Sequence, residues 1–142
     1  MTHLASIDPA TEACQLRGHV PSEAEDDLAR HLLRPHFAAD RETLLLVGFD
    51  AFDRLVRLER ASGESADGCA IPPRCWRGLI GSSVVAVIMA HNHPSGDPRP
   101  SAADAKATAA AALFLRTIDI ELVDHLIFVA DGHFSFRSAE LL

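Results

Sequence analysis

Hydrophobic and polar positions change period several times along the chain, and each change marks an element. Residues 1–20 mix Ala, Asp, Pro, Gly and His without an apolar period, which predicts a loosely ordered tail followed by a domain over 21–142. Ser22 and Glu25 have capping-box spacing, and Leu28, Leu32 and Leu33 give the next segment one apolar stripe before Pro35, so a first helix is expected there. From Glu42, the run Thr43–Phe49 is apolar on both faces, the pattern of a strand covered on both sides. Residues 50–53 read as a turn. Leu55, Val56 and Leu58, interleaved with Arg54, Arg57 and Glu59, predict a half-exposed antiparallel strand.

After a polar loop over 62–68, Pro72-Pro73 can open a short helix that carries Cys75, Trp76, Leu79 and Ile80 toward the core and ends at Gly81. Residues 84–90 are the most buried-looking strand, and they lead straight into His91. Three prolines and a glycine make 94–100 a loop. Ser101 then starts an Ala-rich helix to about Arg116, whose small side chains let it lie close on a sheet. A strand over 120–129 and an Asp131-Gly132 turn into 134–136 complete the pattern, with no internal repeat.

Composition narrows the partners. A chain of 142 residues, 48% of them hydrophobic, can bury one sizeable core and fits one domain. A net charge of −7 gives no global field for a polyanion, which argues against nucleic acid, although Arg74, Arg77 and Arg99 could form a local patch. Cys14, Cys69 and Cys75 are odd in number and lack C-x-x-C spacing, which fits a reducing cytosol better than a disulfide framework. The N-terminus has no basic stretch followed by an apolar run, and no segment approaches about 18 apolar residues. A soluble, cytoplasmic protein with no membrane partner is therefore expected.

The candidate chemistry lies between 91 and 104. Side chains two apart in a strand share a side, so His91 and His93 at a strand end place two imidazoles over one face. Ser101 can cap the following helix, and Asp104 in its first turn can point back toward the same ion. Two nitrogens and one carboxylate leave a fourth tetrahedral position for water, the arrangement of a catalytic zinc site. Such a site also needs a base from elsewhere in the chain. Taken singly, Ser101 with Asp104 is an ordinary capping box and H-x-H a pair of plain surface or core histidines; their proximity turns the reading toward metal.

The string from His91 to Asp104, HNHPSGDPRPSAAD, resembles the JAMM motif H-x-H-P-S-G-x-x-x-P-S-x-x-D in its RadC-family form. Residues 40–142 are similar to that family throughout: Glu42 stands eight positions before Asp50, Asp124-His125-Leu126-Ile127 resembles its D-H-x-I, and Phe134-Ser135-Phe136 its terminal hairpin. The resemblance implies a cytidine-deaminase-like (JAB/MPN) α/β fold, a three-layer sandwich with a mixed central sheet flanked by helices. It implies zinc held by His91, His93 and Asp104, with Glu42 as general acid/base and Ser101 helping to stabilise an oxyanion. The wider superfamily hydrolyses amide or isopeptide bonds, so a peptide or isopeptide substrate follows as the expected partner. The sequence departs from the family in two places. The stretch before Glu42 lacks the length and Gly-rich hairpin of the helix-hairpin-helix region that RadC proteins commonly carry, and Pro73-Arg74-Cys75 stands where the family usually reads P-R-E.

Other readings fare less well. An HNH nuclease spreads its catalytic residues over a ββα unit, and a zinc deaminase needs H-x-E and P-C-x-x-C, which Cys69 and Cys75 do not provide. A non-catalytic interaction module, or a DNA-repair-associated accessory protein, is the alternative class; scaffold MPN domains typically lose their metal ligands, and this chain keeps all three. His125 is read as a core strand histidine, with orientation of a ligand as its second reading. Cys69 and Cys75 are read as buried thiols. His3, His19, His31, His36 and His133 are read as surface residues, and Ser95 and Gly96 as shaping the loop.

Overall fold

The computed structural model describes residues 17–62 and 71–142. Its strands are β1 (His19–Pro21), β2 (Thr43–Phe49), β3 (Leu55–Ser62), β4 (Ala86–Asn92), β5 (Glu121–Val129) and β6 (Gly132–Ser135). The α-helices lying wholly within the described residues are α1 (Pro73–Leu79) and α2 (Ala102–Thr117). The strands make one six-stranded sheet in the order β1-β6-β5-β4-β2-β3. Only β4 and β5 run parallel, joined by α2, because a parallel pair needs a crossover; every other pairing is antiparallel. The sheet is therefore mixed.

Alternation along β2 explains the layers. Leu44 and Leu46 pack with Cys75, Leu79, Met89 and Leu115 under α1 and α2, whereas Leu45 and Val47 pack with Ala29, Leu33, Ala90 and Phe128 on the opposite face. Helix–sheet–helix layering is the expected sandwich. On the second face lie a π-helical turn (Leu28–Leu33) and two short 3-10 turns (Ser22–Ala24 and Arg34–His36).

Several expectations are corrected. The boundary at residue 20 falls inside β1, where His19 pairs with Phe134 and Val20 with His133. Ser22 and Glu25 form no capping box: Asp26 Oδ1 accepts the Ala29 amide at 2.8 Å instead, and Glu25 is buried. Ile80 is 52% exposed, because α1 ends at Leu79 and Gly81 turns the chain with φ +83°. Residue 62 still belongs to β3; the rest of the expected polar loop, together with His3, Cys14, Cys69 and most of the expected tail, lies outside the described residues. Among the described residues no helix is long and apolar enough to cross a membrane.

Candidate active site

His91 sits at the centre of the sheet, paired with Leu44 of β2 on one side and Ile127 of β5 on the other. It follows Val87 and Met89 on the face that α2 covers. Glu42, two residues before Leu44, lies on that face too, and the β2–β4 register extended by two residues sets it opposite His93. Helix α2 approaches from above. Its buried positions Asp104, Thr108, Ala111 and Leu115 follow helical spacing, so the stripe that seals the core with Ala111 and Leu115 also lowers Asp104 and Thr108 over the strands.

Three side chains converge there. His91 Nε2 and His93 Nε2 are 3.0 Å apart, Asp104 Oδ1 is 3.3 Å from His91 Nε2, and Asp104 Oδ2 is 3.1 Å from His93 Nε2. Ligands of a tetrahedral ion with bonds of about 2.0–2.1 Å are separated by roughly 3.4 Å, so the triangle fits such an ion to within a few tenths of an ångström. Glu42 is exposed, and its carboxylate offers an oxygen within 4.8 Å of the His91 and His93 ligand atoms. This cluster is compatible with a metal ion.

Local bonds hold each ligand. His93 Nδ1 lies 2.9 Å from the Asp97 carbonyl oxygen, which can only accept, so Nδ1 carries the hydrogen and Nε2 of the neutral ring keeps its lone pair. The Asp97 carbonyl reaches it because the chain turns at Gly96, whose φ of +88° suits glycine and whose amide donates to the His93 carbonyl. Ser101 Oγ accepts the Asp104 amide at 3.0 Å and Asp104 Oδ2 accepts the Ser101 amide at 2.8 Å. The capping box and the candidate ligand are thus one carboxylate in two roles.

The electrostatics point the same way. Burial alone would raise the Asp104 pKa, but the adjoining His91 and His93 imidazoles outweigh it and hold the carboxyl far below the usual range. The hydrogen bond to Asp104 raises the His93 pKa, against the effect of burial. A carboxylate set between two imidazoles favours a positive charge there, which a proton on His93 can supply and with which a metal ion is compatible.

His125 is the residue whose role the sequence left open. It is fully buried, stacked on Phe136 with ring centroids 4.7 Å apart, and its Nε2 lies 2.8 Å from His91 Nδ1. Burial, with His91 alongside, pushes its pKa well below the ordinary value. It is a core strand histidine, as expected, and it also touches His91, a candidate ligand. Its other nitrogen meets Thr108, which sequence reasoning missed because a threonine inside an alanine run carries no motif.

The sequence matches the family model described as RadC-like JAB domain over residues 22–141. The chain belongs to the RadC-like JAB domain family. It is 40% identical over 119 residues to a UPF0758 protein of Burkholderia mallei, a match covering 82% of this chain and 41% of that protein. Similar proteins occur in Pelodictyon phaeoclathratiforme, 35% identical over 103 residues covering 72% of this chain and 46% of the relative, and in Symbiobacterium thermophilum, 35% identical over 108 residues covering 75% and 45%. The chain spans less than half the length of these curated relatives.

In this RadC-like JAB domain, Cys75 stands where the family usually has glutamate, and its side chain is buried in the apolar cluster with Leu44, Leu79 and Met89. Asp50 is a turn organiser: its carboxylate accepts from the Phe52 and Arg54 amides and the Arg54 guanidinium. His133 is buried against Glu25 at 2.6 Å, not on the surface as its sequence context suggested. A cavity of about 750 Å³ between α2 and the last residues is lined by Thr108 but by none of Glu42, His91, His93, Ser101 and Asp104, whereas a smaller recess of about 170 Å³ reaches His93. Proximity to the chemistry makes the smaller one the relevant space.

Proposed function

We propose that this RadC-like JAB domain is a zinc-dependent metallohydrolase of the JAMM type, acting on an amide, peptide or isopeptide carbonyl. The observation that carries this reading is the triangle of His91 Nε2, His93 Nε2 and the Asp104 carboxylate, with Glu42 close to both imidazoles. Two imidazoles and one carboxylate are the donor set of a catalytic zinc centre with room for water. When bound, the ion supplies Lewis-acid chemistry, acidifying water and polarising a carbonyl. Glu42 takes a proton from the attacking water and returns it to the leaving nitrogen. Ser101 Oγ accepts the Asp104 amide, so its own hydrogen is left to donate to the oxyanion that develops on the attacked carbonyl.

The recess beside His93 supports a substrate with an apolar side chain near the cleaved bond. Phe37, Phe128 and Pro94 line it, and its polar members are occupied: Arg34 by Glu25 and two carbonyls, Asn92 by the Ala38 and Arg41 carbonyls. Arg99 is paired bidentately with Asp97, Nε to Oδ1 and Nη2 to Oδ2, which leaves less positive charge for a nucleic acid and supports the hydrolase over a DNA-associated accessory role. A cytoplasmic location belongs to the same reading, since a thiol such as Cys75 persists in a reducing compartment.

Elemental analysis and calorimetric zinc titration of wild type, His93→Ala and Asp104→Ala test the proposal. One zinc per chain in wild type, lost in both variants, is expected, followed by cleavage of peptide or isopeptide substrates that Glu42→Gln abolishes while retaining the metal. A wild-type protein that binds no added zinc at about pH 7.5, the pH chosen because metal affinity depends on pH, would overturn it.

A further inference from the structure

Behind the candidate metal position runs an unbroken line of hydrogen bonds whose direction is fixed from one end. Thr108 Oγ1 lies 2.7 Å from the Asp104 carbonyl oxygen. A carbonyl has no hydrogen, so the hydroxyl donates there and can only accept from its other neighbour. That neighbour is His125 Nδ1 at 2.5 Å, which must therefore carry an N–H. His125 is fully buried and stacked on Phe136, a setting that disfavours a charged ring, and a neutral imidazole has a single N–H. Its Nε2 consequently bears a lone pair. The lone pair faces His91 Nδ1 at 2.8 Å, so the hydrogen of His91 sits on Nδ1, and His91 Nε2 is left open toward His93 and Asp104.

We propose that Thr108 and His125 are positioning residues that lock His91 in its Nδ1–H tautomer and thereby keep Nε2 available to a metal ion. The inference rests on the metallohydrolase reading of the same site. The line starts at the main chain of Asp104 and ends at the imidazole opposite the Asp104 carboxylate, so one turn of α2 sets two ligands at once. Without the Thr108 hydroxyl, the His125 Nδ1–H has no acceptor there. A buried donor without a partner is disfavoured, so His125 moves its hydrogen to Nε2 and donates to His91 Nδ1. His91 must then carry its hydrogen on Nε2, in the place a metal ion would take.

Two measurements test this. The first is imidazole 15N correlation spectroscopy of the metal-free wild-type protein at mildly alkaline pH, which reads the tautomer of each ring and needs neither a variant nor bound zinc. His91 and His125 are both expected as Nδ1–H with unprotonated Nε2; a His91 hydrogen on Nε2 would overturn the inference even if zinc binds well. The second is zinc affinity of Thr108→Val and Thr108→Ser. Thr108→Val is expected to invert both tautomers and weaken zinc binding by about ten- to a hundredfold, the usual effect of losing a partner behind a ligand, with Thr108→Ser restoring both. Equal affinity and unchanged tautomers in Thr108→Val would refute the relay while leaving the metal site intact. A wild-type protein with the expected tautomers and no zinc binding would instead defeat the metallohydrolase reading, and with it the proposed purpose of the relay.

Discussion

Asp104 favours a positive charge on His93, which a proton supplies in the ion-free protein and which, on the proposed function, a metal ion would replace. The His93 pKa is raised by Asp104, so in the ion-free protein its contribution to stability is full below the unfolded value of about 6.5 and is lost as pH rises through the folded value. The Asp104 pKa is lowered, so its contribution is present above its unfolded value of about 3.8 and is lost as pH falls. These two groups stabilise the ion-free protein best between about pH 4 and 6.5, and its urea midpoint should decline on the alkaline side. Zinc should restore that alkaline stability, because it replaces the proton. Below the raised His93 pKa, one proton must leave as the ion enters, and affinity should fall about tenfold per pH unit. Calorimetry in two buffers of different ionisation enthalpy counts that proton, and a count of zero in this range would contradict that replacement. At this scale the sequence was informative where period placed groups, as with His91 and His93, and silent where a partner lay far along the chain. Nothing near His133 announces that it meets Glu25, 108 positions away.

Helix α2 shows how one element serves packing and chemistry together. Ser101 and Asp104 satisfy its first amides as a capping box, and the sequence offered this as the plain alternative to a metal site. In the structure Asp104 caps with Oδ2 while both of its oxygens face the imidazoles, so the cap does not preclude ligation. Ser101→Ala deletes the acceptor for the Asp104 amide and should lower stability by about 1 kcal/mol in urea denaturation. Zinc content should persist in this variant, because the Asp104 carboxylate still accepts the Ser101 main-chain amide. Lost hydrolysis with retained zinc would support a role for the hydroxyl in the reaction; loss of zinc would mean that the cap itself holds the ligand. The start of α2 was legible from Ser101 and the prolines before it. Its inward stripe was not, because alanine on every side gives an apolar helix little contrast, and only the packed sheet selects the face with Thr108 and Ala111.

At the scale of the molecule, the strands were legible because β2 and β4 are apolar runs of strand length and β3, an edge strand, alternates. The N-terminal layer was not legible: its spacing suggested a capped amphipathic helix, whereas short 3-10 and π turns are held in place by a buried ionic cluster. Arg34 donates to both oxygens of Glu25 and to the Val129 and Gly132 carbonyls, and His133 meets Glu25 from β6. The cluster ties this layer to the edge of the sheet. Arg34→Met leaves the buried Glu25 carboxylate without its guanidinium and should cost about 3–5 kcal/mol, whereas adding Glu25→Leu should recover much of the loss, since removing both charges avoids an uncompensated one. The pH dependence has a definite sign. Burial acts to raise the Glu25 pKa, but hydrogen bonds from Arg34 and His133 prevail and lower it below its unfolded value of about 4.5. Its contribution is therefore present above about pH 4.5 and lost as pH falls through the folded value. Wild type should exceed Glu25→Gln in urea stability at neutral pH by a margin that narrows on acidification below about pH 4.5. A margin independent of pH would show that the layer is held by packing around Leu33 and Phe128, with the ionic cluster contributing little.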